Sequence, residues 1–175
     1  MSLELYLKKM IHKEHSKAQM LVIVDWVGED KKRFNELVKL FISKDLLISQ
    51  RAGYPLSNIA IKHPAWVLPH LGKIISFAQV PGVHDAVRRN TVRILEHVSI
   101  PKKVHGIVMN LCFDFISNPN EKVAVKAFSL TILEQMIQDY PEIGAELKII
   151  IEDQWDFQTP AFRVRAKKIL NKLKS

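Results

Sequence analysis

The sequence predicts an all-α fold, a right-handed α-α superhelix of about four to five stacked helix pairs, and three observations predict it. Prolines recur in two registers: Pro64, Pro101 and Pro141 stand 37 and 40 residues apart, while Pro81, Pro119 and Pro160 stand 38 and 41 apart. A basic residue followed by a small one recurs in Arg51-Ala52, Arg89-Asn90, Lys126-Ala127 and Arg165-Ala166, at spacings of 38, 37 and 39. Between these marks, apolar residues fall at helical intervals. Phe34, Leu37, Val38, Phe41 and Ile42 form one stripe, and Val87, Thr91, Ile94, Leu95 and Val98 another, whereas no stretch alternates strictly enough for a strand. A period of roughly 38 residues belongs to two-helix repeats.

Each element follows from these marks. Proline is tolerated in the first turn of a helix, where backbone N–H groups are spare, so the prolines announce helix starts. The expected helices are 2–13, 16–28, 31–42, 46–62, 65–78, 83–98, 102–117, 120–139, 142–155 and 160–173. Pro55 and Pro69 fall inside two of them and should kink or interrupt the backbone. Lys17-Ala18 fits as a shortened earlier copy of the basic-small pair, 34 residues before Arg51. The chain therefore reads as a single domain over 1–175, with 1–30 an atypical N-terminal cap and 31–175 about four helix-pair repeats. A lone helix pair cannot cover its own apolar side, so stacking follows.

Composition agrees. The 175 residues are 47% hydrophobic, enough for a sizeable core without covalent staples. The lone cysteine, Cys112, sits in the apolar run from Val108 to Phe113, which excludes an internal disulfide and suggests a reducing compartment. A reactive thiol prefers an electropositive, partly open setting, so Cys112 is a poor catalytic candidate. No charged head followed by an apolar stretch opens the chain, and the run from Met20 to Val24 is far too short to cross a bilayer. The expectation is a cytoplasmic protein with no membrane contact.

The segment from Ser49 to Ala60 and the segment from His63 to Leu71 resemble HEAT and armadillo repeats, as do the helix openings Glu121 to Ala127 and Phe162 to Ala166. The resemblance spans most of 16–173 and implies a fold more than a function. The whole chain is also similar to a group of small bacterial helical-repeat proteins, some labelled adenylosuccinate lyase. That label implies a flexible Ser-Ser-x-Met-Pro-x-Lys-x-Asn loop carrying a proton-abstracting serine. Here none of the five methionines precedes a proline, so that serine has no position.

Other catalytic signatures are thin. His12 and His15 would place two imidazoles on one helical face beside Glu14, but a third metal ligand is missing, and both read as exposed polar residues. His63 and His70 read as turn and surface residues, and His84, His97 and His105 show no partner spacing. Neither a nucleophile-elbow nor a phosphate-loop glycine pattern occurs, and the six glycines leave little for cradling phosphates. No metal or cofactor is expected. Helix-repeat DNA glycosylases offer the best enzymatic comparison, since they present aromatic residues and an aspartate to an alkylated base. The nearest cluster here is Asp153, Trp155 and Asp156, with Trp66 elsewhere; all four fall on first helices, which in such stacks face the convex side. Trp26, Trp66 and Trp155 read more simply as wedges between helices.

The positive charge is the better lead. Lys and Arg outnumber Asp and Glu 26 to 18, giving a formal charge of +8 and a pI near 9.6. In such stacks the second helix of each pair lines the concave face, and residues at i, i+3, i+4 and i+7 share that face. Arg51, Arg89, Arg93, Lys126, Arg165, Lys168 and Lys172 are the candidate basic strip. The recurrent positions Arg51, Arg89, Lys126 and Arg165 read first as bridges to the neighbouring repeat, whereas Arg93, Lys168 and Lys172 lack that structural role and are the better functional candidates. From Phe157 onward the chain has no acidic residue, and Lys172 and Lys174 also suit a helix C-terminus. The expected function is a non-enzymatic binding or scaffold module holding a protein or peptide partner. The alternative is a sequence-tolerant nucleic-acid binder, and the third reading is the glycosylase.

Overall fold

A computed structural model describes residues 2–173, so Lys174, one of the C-terminal cations, lies outside the described residues. It is all-α, with eleven helices among the described residues: α1 (Leu3–Lys13), α2 (Lys17–Val27), α3 (Lys31–Phe41), α4 (Leu46–Lys62), α5 (Pro64–Val67), α6 (Leu71–Ala78), α7 (Asp85–His97), α8 (His105–Ser117), α9 (Val123–Met136), α10 (Ile143–Gln154) and α11 (Pro160–Lys172). Short 3₁₀ turns at Leu68–His70, Lys102–Val104 and Trp155–Phe157 complete the helical content, and no strand occurs among the described residues.

Local chemistry sets the boundaries. Ser2, Ser16, Asp30 and Asp45 each accept a hydrogen bond from a backbone N–H two or three residues on, satisfying donors that the first turn leaves bare. Pro64 and Pro160 open α5 and α11. Gly28, at φ +48, closes α2 in a conformation a side chain would resist. Pro69 interrupts its helix as expected, since a 3₁₀ turn separates α5 from α6. Pro55 does not: α4 runs through it from Leu46 to Lys62, a correction to an expected break. Pro55 is buried, and α4 packs on α2, α3 and α7, so tertiary contacts on either side hold the helix together despite the missing N–H.

The chain divides into two compact units, Met1–Lys102 and Lys103–Ser175. In the first, α1, α3 and α5–α6 are first helices, and α2, α4 and α7 are second helices. Successive second helices pack side by side, α2 on α4 and α4 on α7, and α1 packs on α3 in the other row. Leu7, Ile11, Phe34, Leu37, Phe41, Ile48, Leu56, Ile74 and Leu95 are fully buried between the rows. The edge of Phe34 meets Trp66 at 5.6 Å and the edge of Phe41 meets Phe77 at 6.5 Å, locking α3 to the following first helix.

In the second unit α8 and α10 are first helices, and α9 and α11 second helices. Val108, Leu111, Cys112, Leu130, Leu133, Leu147, Phe162 and Ile169 fill its core. The residue after each recurrent basic position, Ala52, Asn90, Ala127 and Ala166, is buried throughout. A small side chain there lets neighbouring second helices approach, which is why the pair recurs in the sequence. These repeated pairs, packed neighbour on neighbour, are a HEAT-like helical repeat fold.

Candidate functional site

The strip expected from the sequence is best judged residue by residue, beginning with the recurrent basic position. Arg51, on α4, donates through Nη1 to Ile11 O at 3.4 Å and His12 O at 3.1 Å. Those carbonyls belong to the last turn of α1, where a cation is favoured by the helix dipole. Arg89, on α7, is exposed. Lys126, on α9, is only 2% exposed and donates from Nζ to Gln154 Oε1 at 3.1 Å, while Gln154 Nε2 donates to Ile116 O at 2.8 Å. Burial lowers the Lys126 ammonium below the ordinary lysine value, with Glu121 pulling it partly back. Lys126 is therefore removed from any strip open to a partner, and Ser129, placed on its face by spacing, is buried as well.

The three cations expected to lack a structural role divide. Lys168 is exposed on α11. Arg93 and Lys172 do have partners, a correction: Arg93 Nη1 donates to Ser57 Oγ at 3.0 Å, and Lys172 Nζ lies 2.7 Å from Glu134 Oε1. Arg165 Nε donates to Thr131 Oγ1 at 3.1 Å. These bonds join positions separated by about one repeat, because the same face of successive second helices is brought together.

Within the first unit, the solvent side of the second helices carries Arg51, Tyr54 and Asn58 on α4, with Arg89 and Arg93 on α7. Within the second unit it carries Phe128, Thr131 and Gln135 on α9, with Arg165 and Lys168 on α11. Sequence reasoning missed Tyr54, Ser57, Phe128 and Thr131. The Arg93 guanidinium lies 5.5 Å from the Tyr54 ring centre, and that of Arg165 lies 5.7 Å from the Phe128 ring centre. A signal was available: in both helices a hydroxyl follows the aromatic residue by three positions.

The catalytic and metal candidates are dispersed. α1 ends at Lys13, so His15 lies beyond it and does not share a helical face with His12, as the spacing had suggested. Among the described residues no group of three or more His, Cys, Asp or Glu side chains is arranged to hold a metal ion. His63 stacks on Trp66 at 4.2 Å and lies 3.4 Å from Glu29, His70 bonds Asn35 at 2.9 Å, and the Tyr140 hydroxyl bonds His105 at 3.1 Å. His84 Nδ1 accepts from Ala86 N at the start of α7. Asp153 is exposed on α10, while Trp155 and Asp156 stand in the following 3₁₀ turn. Arg163 donates to both of their backbone carbonyls, at 2.9 and 3.0 Å, which binds that cluster into the turn. Trp26 lies under Arg33, 4.7 Å from its guanidinium.

A family model of the HEAT repeat domain matches residues 7–173. The chain belongs to the HEAT repeat family. HEAT repeats generally form non-enzymatic scaffolds that mediate protein interactions, and this HEAT repeat protein has, among its described residues, no helix long and apolar enough to cross a membrane. No match to the chain is found among curated proteins or solved structures.

Proposed function

We propose that the protein is a non-enzymatic binding module that offers the partly basic face of its second helices to a protein or peptide partner, in the cytoplasm. One observation carries this reading: in each unit that face sets an arginine over an aromatic ring, Arg93 over Tyr54 in the first and Arg165 over Phe128 in the second. Arginine and aromatic side chains are enriched at protein interfaces, because they bring a large contact area and directed hydrogen bonds together. Arg89 and Lys168 flank these groups as exposed cations, while Arg51 and Lys172 are held by the α1 carbonyls and by Glu134. A pull-down from lysate is expected to recover a specific protein with the native chain and to lose it when Arg93→Glu and Lys168→Glu are combined. Recovery of the same proteins by both would count against this reading.

A second reading, sequence-tolerant nucleic-acid binding, draws on the distribution of charge. Residues 1–102 hold 16 basic against 9 acidic residues, whereas 103–175 hold 10 against 9. Binding of this kind would fall steeply with added salt, through counterion release. An electrophoretic shift assay that shows no complex at low salt would remove it.

A further inference from the structure

Two of the seven arginines are held unlike the other five. Arg33 and Arg88 pair with the carboxylates of Asp30 and Asp85, Arg51 and Arg163 cap backbone carbonyls, and Arg89 is exposed. Arg93 and Arg165 each donate to a side-chain hydroxyl while lying over an aromatic ring. Tyr54 with Ser57, and Phe128 with Thr131, place ring and oxygen on one helical face, a turn apart. The arginine then arrives from the next second helix.

The seat of Arg93 is fixed in depth. Asn90 Nδ2 donates to Ala86 O at 2.8 Å, and the Ser57 hydroxyl, fully buried, lies 3.1 Å from Asn90 Oδ1. The Ser57 hydroxyl has one proton, with Tyr54 O at 3.0 Å and Asn90 Oδ1 both in reach, so in either case its oxygen is left as an acceptor for Arg93. The Thr131 oxygen, which also lies 3.4 Å from Ala127 O, plays the same part for Arg165. Both guanidiniums are thus oriented before any ligand arrives, which lowers the ordering cost of binding.

Among the described residues no carboxylate pairs with either guanidinium, and only one nitrogen of each is engaged: Nη1 of Arg93 and Nε of Arg165. Their other nitrogens reach solvent, in contrast to the Nε of Arg51, which is buried without a partner. What remains open is a two-pronged donor edge, Nε with Nη2 on Arg93 and Nη1 with Nη2 on Arg165. That edge matches a carboxylate in bidentate geometry.

The geometry points to one carboxylate receptor in each unit, built from Arg93, Tyr54 and Ser57 in the first and from Arg165, Phe128 and Thr131 in the second, for glutamate or aspartate side chains of an acidic peptide. This deepens the peptide-binding reading above and rests on it. A peptide suits these seats better than a phosphate chain. Each unit offers a single guanidinium fork that works at contact, which suits one side-chain carboxylate, whereas nucleic-acid affinity needs many phosphates neutralised together, and the second unit's 10 basic against 9 acidic residues give little field for that. The aromatic faces also offer apolar surface for the methylene stems of the acidic side chains.

The test is titration of the ¹⁵N-labelled full chain with a short oligoglutamate peptide, following the side-chain Nε–Hε resonances of its arginines. Those of Arg93 and Arg165 are expected to shift saturably, while those of Arg33 and Arg88 stay still. Arg93→Lys and Arg165→Lys keep the charge but lose the fork, and each is expected to weaken peptide binding about tenfold with an unchanged circular dichroism spectrum, whereas Arg89→Lys does not. Peptide binding that leaves both resonances unmoved, or that survives both lysine variants, would overturn the inference. Oligothymidylate shifting the same resonances at lower concentration would overturn the peptide as ligand. A lysate partner lost with Lys168→Glu but retained with both lysine variants would sink this inference alone and leave the binding-module reading standing.

Discussion

At the scale of single residues, polar and ionisable groups inside the helix rows behave according to their burial. Cys112 is fully enclosed, and burial pushes its thiol up to about 12, although a hydrogen bond with Ser129 pulls the other way. The thiolate is the reactive form, so Cys112 is expected to stay unreactive toward a disulfide reagent at pH 8 in the native protein and to react fully in denaturant. Stoichiometric labelling of the native chain would contradict that. His70 shows the opposite charge logic. Burial holds its imidazole below the usual histidine value, with Lys73 and Lys31 adding repulsion. A base with a lowered folded pKa binds fewer protons than the unfolded chain in the window between the folded and unfolded values. Stability from this site is therefore complete above pH 6.5 and falls as pH drops through that window. Thermal melts of the native chain at pH 7.5 and 5 should differ by more than those of His70→Gln; equal differences would refute this.

At the scale of elements, caps and close approaches decide how well the helices are specified. The Asp30 carboxylate accepts from the N–H groups of Lys32 and Arg33 at 2.8 and 3.2 Å. Asp30→Ala is expected to cost about 1 kcal/mol in denaturant unfolding, the usual loss for a deleted cap. Gly53 tests the spacing of α4 and α7. A Cβ there would stand 2.7 Å from Asn90 Nδ2 and 3.0 Å from Phe41. Alanine favours a helix over glycine by up to about 1 kcal/mol, but overpacking costs roughly 1–3 kcal/mol, and Asn90 is pinned by its own hydrogen bonds. Gly53→Ala should therefore destabilise the chain. A raised melting temperature would show that the helices can move apart freely.

At the scale of the whole molecule, each compact unit has its own core and its own reporters. Trp26 and Trp66 stand in the first and Trp155 in the second. Phe162 is fully buried in the second unit. Phe162→Ala is expected to lower the stability reported by Trp155 fluorescence, in a background where the other tryptophans are phenylalanine, by about 3–5 kcal/mol. An unshifted transition would mean that Phe162 does not anchor α11.

The sequence by itself determined the helices, their pairing and their repeat. Those rest on local rules: proline at a helix start or up to four residues ahead of it, 3.6-residue periodicity, and a small residue where neighbouring second helices touch, as at Ala52, Ala127 and Ala166. Tertiary structure decided which basic residues remain available. Lys126 and Arg165 occupy matching places in the sequence, yet one is enclosed beside Gln154 and the other lies open over Phe128. Arg93 and Arg165 hold equivalent seats although they fall about one helical turn apart in the repeat register, because a guanidinium on a long stem goes where a ring and a hydroxyl of the neighbouring helix are already fixed. Spacing along one helix cannot carry that information, since it depends on how a second helix lies against it.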